Sequence, residues 1–341
     1  MYKEEEIVFY NGDIKLVGTL TLPKNKGRHP AIVMITGSGP LNRDEELFEF
    51  KSFEIIADHF TRHGIATLRY DSRGVGASTG NVFLSTLPDF SNDVMAAVHY
   101  LTNRSEINIK QIGLCGHSEG GIIAPFCASN SDDVAFIILI SGVGQSGEKS
   151  FFTQNKLIMR ADKVSEDKIN EVLNLQKKMI SQILEGDKET EIESILIDIT
   201  KKSMNIERSD WNTDKQDLDN TILNQVTCQL TTYNSPWFNY FLNYDPKPKL
   251  EKVKCPVLML FGELDLQVPY QLNKEIMVDA LRKSGNKDYT VKVFPKANHL
   301  FQYAQTGSPT EYSKLEKKFV SGFLKFMSKW ILKHVEIVNK G

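Results

Sequence analysis

The hexapeptide Gly116-His117-Ser118-Glu119-Gly120-Gly121 constrains this chain more than any other stretch. A short apolar run, Gln111-Ile112-Gly113-Leu114-Cys115, precedes it and reads as a strand. Ile122-Ile123-Ala124-Pro125-Phe126-Cys127-Ala128 follows and can continue as a buried helix. Strand, tight turn and helix in that order hold the serine of a G-x-S-x-G pattern in a strained backbone position, with its hydroxyl lifted clear of a sheet. The glycines on either side let strand and helix backbones approach where a Cβ would clash. The functional reading is a nucleophile elbow. The plain alternative, a glycine-rich turn with an incidental serine, is disfavoured by the flanking strand and helix.

The rest of the chain repeats the same rhythm. Ile14, Leu16, Gly18, Leu20 and Leu22 alternate with mostly polar residues, as in an antiparallel strand with one wet face. Ala31-Ile32-Val33-Met34-Ile35 is apolar without alternation and predicts a central strand covered by helices on both sides. Phe53, Ile56, Ala57 and Phe60 then fall at helical spacing, Gly64 stops that helix, and Ile65 to Tyr70 starts another strand. Val94, Ala97, Val98 and Leu101 mark the helix before the elbow strand, and Ala135 to Ile140 gives one more strand. Between Gly147 and Pro236 there is no proline and only Gly186, and Ile169, Val172, Leu173, Met179, Ile180 and Ile183 recur at helical intervals. Ser165 before Glu166 and Asp167 has the form of an N-cap. Strands resume at Val257–Phe261 and Tyr289–Phe294, and an amphipathic helix closes the chain. The expectation is an α/β core of residues 1–145 and 246–341, with residues 146–245 inserted as an all-helical cap.

A net charge of -2 over 341 residues, with 41% apolar and 25% charged residues, describes a globular chain and gives no indication of nucleic-acid binding. Val134 to Ile140 is one of the longest apolar runs and falls far short of the roughly 20 residues needed to span a bilayer, so no transmembrane segment is expected. Residues 1–8 lack the basic-then-apolar order of a signal peptide, so the default location is cytoplasmic, although prior removal of a signal would leave a similar sequence. A homodimer is allowed. Cys115, Cys127, Cys228 and Cys255 lack metal-ligand spacing and are expected to be buried thiols, so no metal is expected.

A serine hydroxyl needs a base to take its proton and a third group to orient that base. Of the seven histidines, His299 stands in Pro295-Lys296-Ala297-Asn298-His299-Leu300-Phe301, a loop directly after the last predicted strand. His29, His59, His63 and His99 precede the elbow, His117 belongs to it, and His334 lies near the end of the closing helix as a solvated or helix-end residue. The acid is expected between serine and histidine in sequence. Phe261-Gly262-Glu263-Leu264-Asp265 offers Asp265, with Glu263 as fallback. A helix N-cap is the ordinary reading of either acid. Two backbone donors are expected for a developing oxyanion: the amide of Glu119 and, from Thr36-Gly37-Ser38-Gly39-Pro40, that of Ser38, with Gly37 as near alternative.

With these residues in place, the chain resembles the α/β-hydrolase superfamily, and within it bacterial carboxylesterases that carry a helical cap after the sixth strand. The resemblance rests on Gly37-Ser38-Gly39-Pro40 with Asn42-Arg43-Asp44, Asp71-Ser72-Arg73-Gly74-Val75-Gly76, the elbow, Asp265 and His299. It implies a mostly parallel twisted sheet with helices on both faces, a small-molecule ester substrate and no cofactor. Many relatives begin the oxyanion loop with His-Gly where this chain has Thr36-Gly37, so no role of that histidine carries over. The same apparatus could serve a thioesterase, an acyl-transferase or an aminopeptidase-like amide hydrolase, or persist in a catalytically silent binding protein.

Four features keep two readings. Glu119 is read as an exposed acid, either a substrate contact or, more commonly, a first-turn helix residue. Arg43 and Arg73 could bind a substrate carboxylate, but pairing with Asp44 or Asp71 is the commoner role of loop arginines. Trp237, Phe238, Tyr240, Phe241 and Tyr244 could wall an acyl pocket, could weld cap to core, or both. Gly74-Val75-Gly76 lacks the immediate helix that a dinucleotide site needs.

Overall fold

The computed structural model describes residues 2–185, 189–203 and 215–338. Gly186 and residues 204–214 of the expected helical stretch lie outside the described residues. In chain order the strands are β1 (Lys3–Asn11), β2 (Ile14–Leu22), β3 (His29–Ile35), β4 (Glu46–Leu47), β5 (Phe50–Lys51), β6 (Ala66–Tyr70), β7 (Ile107–His117), β8 (Phe136–Ile140), β9 (Val257–Gly262) and β10 (Tyr289–Phe294). Eight of them form one sheet in the order β1-β2-β6-β3-β7-β8-β9-β10, and β4 and β5 form a separate hairpin. β1 and β2 pair antiparallel with each other, and β2 with β6; every pair from β6 across to β10 is parallel.

The unalternating apolar strands sit where both faces are covered. β8 and β9 are buried along their whole length. Successive side chains of a strand point to opposite faces, and these strands feed two separate cores. Val33, Ile137, Leu139 and Met259 pack with helices α2 (Leu87–Thr102), α3 (Gly120–Ala128) and α10 (Tyr270–Lys283). Ile32, Met34, Ile138 and Leu260 pack with α1 (Ser52–Arg62) and α11 (Phe323–Val338). A layer of helices on each side of a mostly parallel sheet is the expected fold class, and it brings the loops after the six parallel strands together at the carboxyl edge of the sheet.

Between β8, the sixth strand of the main sheet, and β9 lie α4 (Gly147–Ala161), α5 (Glu166–Glu185), α6 (Glu189–Ser203), α7 (Lys215–Tyr233), α8 (Pro236–Asn243) and the short α9 (Lys247–Leu250). Phe151, Val172, Met179, Leu196, Val226 and Phe238 from five of these helices form an apolar cluster of their own. None of the described helices is long and apolar enough to cross a membrane.

Two expectations about single residues need correction. Cys115 and Cys127 are buried and Cys255 is half-buried, but Cys228 is exposed. It lies on α7 between Val226 and Leu230, a helical turn apart, which take the inward face. His334 is buried, not solvated: its ring stacks on Trp330 at 3.9 Å, and its nitrogens face Trp330 O and Asp288 Oδ1. The face of α11 that carries it is docked on the sheet.

Candidate active site

β7 ends at His117, Ser118 has φ +53°, and α3 begins at Gly120. A Cβ on Gly116 would lie 1.9 Å from Gly120 O, and one on Gly120 would lie 2.2 Å from Ile35 O, so both positions exclude a side chain. The Ser118 amide donates to Ile140 O at 2.9 Å, pinning the strained residue to the adjacent strand β8.

Asp265 lies in the loop after β9 and His299 in the loop after β10, and His299 Nδ1 donates to Asp265 Oδ2 at 2.9 Å. Ser141 Oγ donates to the same oxygen at 2.6 Å, while the amides of Gln267 and Val268 donate to Oδ1 at 2.9 and 2.8 Å. Burial alone would raise the pKa of this carboxyl. The His299 ring, by charge and hydrogen bond, together with the other donors outweighs burial and holds it below the ordinary aspartate value. Glu263, the fallback acid, is exposed and accepts the Lys296 amide, so it does not reach His299.

Ser118 and His299 border one cavity of about 430 Å³, together with Gly37, Ser38 and Glu119. The Gly37 amide is occupied: it donates to Glu45 Oε1 at 2.7 Å. Among the described residues, the amides of Ser38 and Glu119 donate to no backbone acceptor. Trp237, Phe238 and Phe241 line the cavity with Phe48, Phe151 and Tyr312. Tyr240 and Tyr244 stack on each other behind Trp237 and Phe241, against Leu87. Among the described residues no group of three or more His, Cys, Asp or Glu is arranged to hold a metal ion.

The serine aminopeptidase S33 family pattern (Hydrolase_4) matches residues 49–303, a span that includes Ser118, Asp265 and His299. The chain belongs to that family of α/β-hydrolases. Esterase EstD of Thermotoga maritima is 26% identical over 330 residues, covering 96% of this chain and 68% of its own. The proline iminopeptidase of Mycobacterium smegmatis has the same fold, with a TM-score of 0.59 at 16% identity over 97% of this chain and 98% of its own. An esterase of Pyrococcus furiosus gives 0.56 at 14% identity over 99% and 91%.

In this α/β-hydrolase the partner of Arg73 and the burial of Glu119 differ from the sequence expectation, and the structure adds a buried pair that no local pattern marks. Arg43 does pair with Asp71, through the Nε and Nη2 hydrogens of one guanidinium edge, but Asp44 is taken by Arg69, and Arg73 reaches Asp93 at 2.6 Å. None of these arginines lines the cavity. His117 and Glu45 form a buried pair at 2.9 Å. Glu119 is buried rather than exposed, because α8 lays Trp237 over it and the indole N–H donates to Glu119 Oε1 at 2.7 Å.

Burial pushes the Glu119 pKa up from 4.5 to about 7, and the Trp237 and Ser38 side chains offset only part of the rise. A carboxyl with a raised folded-state pKa binds its proton more tightly in the native state than in the unfolded chain. Its stabilising contribution is therefore present at low pH and is lost as pH climbs from about 4.5 to about 7. A shift of that size corresponds to about 3 kcal/mol. Glu119→Gln, whose amide oxygen still accepts from Trp237, is expected to be about 3 kcal/mol more stable than the parent above pH 7 and equal to it below about pH 4.5. Urea unfolding of both proteins across that range measures the difference, and a pH-independent difference would refute the assignment.

Proposed function

We propose that this protein is a serine hydrolase that cleaves small-molecule carboxylic esters through an acyl-enzyme. Ser118 Oγ adds to the ester carbonyl while His299 accepts the hydroxyl proton. The Asp265 carboxylate orients the ring and faces the imidazolium that forms. The amides of Ser38 and Glu119 donate to the developing oxyanion. Collapse expels the alcohol, which takes the proton from His299, and water then opens the acyl-enzyme by the same steps. The observation that carries this reading is the 2.9 Å Asp265–His299 hydrogen bond beside a cavity that Ser118 borders with a strained backbone.

Residues 146–245 serve in this reading as a cap over a core of residues 1–145 and 246–341. Its Phe151, Trp237, Phe238 and Phe241 face the cavity and would wall the acyl or alcohol group. Relatives carry the names of esterases and of a proline iminopeptidase, and the acids at the cavity favour the ester. An aminopeptidase must hold a free α-ammonium group. Glu45 and Glu119 are the acids lining the cavity among the described residues, and both are committed to partners within the protein.

Incubation with a fluorophosphonate, followed by peptide mass spectrometry, is expected to place the label on Ser118. Turnover is expected to be fastest on esters in a panel of aryl esters, thioesters and aminoacyl amides. An unlabelled protein, or faster turnover of the amides, would overturn the assignment.

A further inference from the structure

The loop between β3 and α1 carries a buried carboxylate that the scheme above does not use. Glu45 is 2% exposed, and with φ of +46° it begins a run in which Phe48 and Glu49 also adopt positive φ, at +51° and +64°. Three non-glycine residues held in the left-handed region within five positions persist only where surrounding contacts over-determine them. The contacts at Glu45 are specific. Oε1 accepts the Gly37 amide at 2.7 Å and lies 2.9 Å from His117 Nδ1; Oε2 accepts the Ser52 hydroxyl at 3.1 Å.

The other nitrogen of His117 fixes one proton of the ring. Nε2 lies 3.1 Å from the backbone carbonyl oxygen of His299. A carbonyl oxygen only accepts, so Nε2 carries a hydrogen. A Glu45 carboxyl that already receives an amide and a hydroxyl hydrogen is placed as an ionised acceptor, so Nδ1 carries a hydrogen as well. A ring that donates from both nitrogens is an imidazolium. The electrostatics agree: burial opposes the charged ring, but the charge and hydrogen bond of Glu45 prevail and raise the His117 pKa. The other ionisable groups near the pair are Asp265 and His299, whose ring centroid lies 4.6 Å from that of His117, and Cys115, whose buried thiol is pushed toward its neutral form.

We propose that Glu45 and His117 form a buried carboxylate–imidazolium pair that positions the oxyanion loop at Gly37 and the backbone of the base, His299, as one unit. This rests on the hydrolase reading above for its catalytic meaning. One carboxylate fixes the loop after β3, and through the His117 ring it fixes the loop after β10, so the oxyanion donor and the base cannot shift independently. The pair has no net charge, so His299 can become protonated beside it. A neutral residue at 45 removes the charge that keeps the buried ring protonated, so His117 gives up a proton and with it one of its two hydrogen bonds, which damages the chemical step more than ground-state binding. Glu45 and His117 are positioning residues here, since neither touches the reacting atoms in this scheme.

The test is nitrogen NMR of the full chain carrying isotope-labelled histidine. The His117 ring, assigned through its contacts to Gly37 and His299, is expected to show both nitrogens protonated at pH 7. The same signal is expected in Ser118→Ala, because the pair does not involve the serine. Glu45→Gln is expected to abolish the imidazolium signal and to lower kcat on a short-chain aryl ester by about 10- to 100-fold, with KM within about twofold. A neutral His117 ring at pH 7 in the parent protein would overturn the proposal without any variant, as would undiminished kcat in Glu45→Gln. An intact imidazolium signal in a protein that turns over no ester would instead sink the esterase reading and leave the pair standing.

Discussion

Alanine in place of Ser118 is expected to lower turnover of a short-chain aryl ester by about ten-thousand- to a million-fold, leaving only what the oxyanion donors and the cavity supply. The comparison is clean because of the backbone. Ser118 sits at φ +53°, and alanine has the same Cβ and bears the same steric penalty there, so the stability of the variant should match the parent closely. Ser118→Gly would be the wrong control, since glycine relieves the strain and changes stability along with chemistry. Steady-state kinetics with purified Ser118→Ala, checked by thermal unfolding, measures both quantities. Turnover within tenfold of the parent would remove Ser118 from the mechanism.

The parts of the molecule legible in the sequence are those set by local pattern. β8, β9 and residues 31–35 of β3 announce themselves because a strand covered on both faces is apolar without alternation, and the loops that leave them are found by counting from their ends. Counting from those ends puts Ser118, Asp265 and His299 forward as candidates, and the structure sets Ser118 and His299 on one cavity with Asp265, not Glu263, hydrogen-bonded to His299. Long-range polar pairing leaves no such pattern. Glu45 and His117 are separated by 72 positions, and Trp237 meets Glu119 across 118. Nothing at either end of such a pair announces the other. Asn42-Arg43-Asp44 belongs to a recognisable motif, but the buried carboxylate is the next residue, Glu45, which no local pattern marks. Glu119 and His334 differ from expectation for the same reason: a polar residue at or near a helix end looks solvated until the element that covers it is known. The partner of Arg73 followed from the docking of α2, which brings Asp93 alongside and leaves Asp71 to Arg43.

Asp265→Asn should cost about a thousand- to ten-thousand-fold in turnover, although it changes one atom, and the surrounding donors explain why. An asparagine at this position has one acceptor and one donor to distribute between two sites. The Oδ1 site faces the amides of Gln267 and Val268, which only donate, so the amide oxygen must take it. The NH₂ group is thereby forced into the Oδ2 site, facing His299 Nδ1 and Ser141 Oγ. Ser141 can turn its hydroxyl to accept. His299 can answer only by giving up the hydrogen on Nδ1 and carrying it on Nε2, the nitrogen that must be bare to accept the proton of Ser118. The variant therefore keeps its hydrogen bonds and its fold but holds the base in the wrong tautomer, and it also lacks the carboxylate that stabilises the imidazolium. Raising the pH cannot restore activity by deprotonating the ring, because the neutral ring is the misdirected one. The expected signature is a fall in kcat that persists across the neutral range, with KM little changed and unfolding close to that of the parent. Asp265→Ala is a useful contrast: it frees Nδ1 to choose either tautomer but opens a buried void beside two orphaned amides, so its stability should fall where that of Asp265→Asn does not. Recovery of parental kcat by Asp265→Asn at any pH would mean that Asp265 does not set the tautomer of His299.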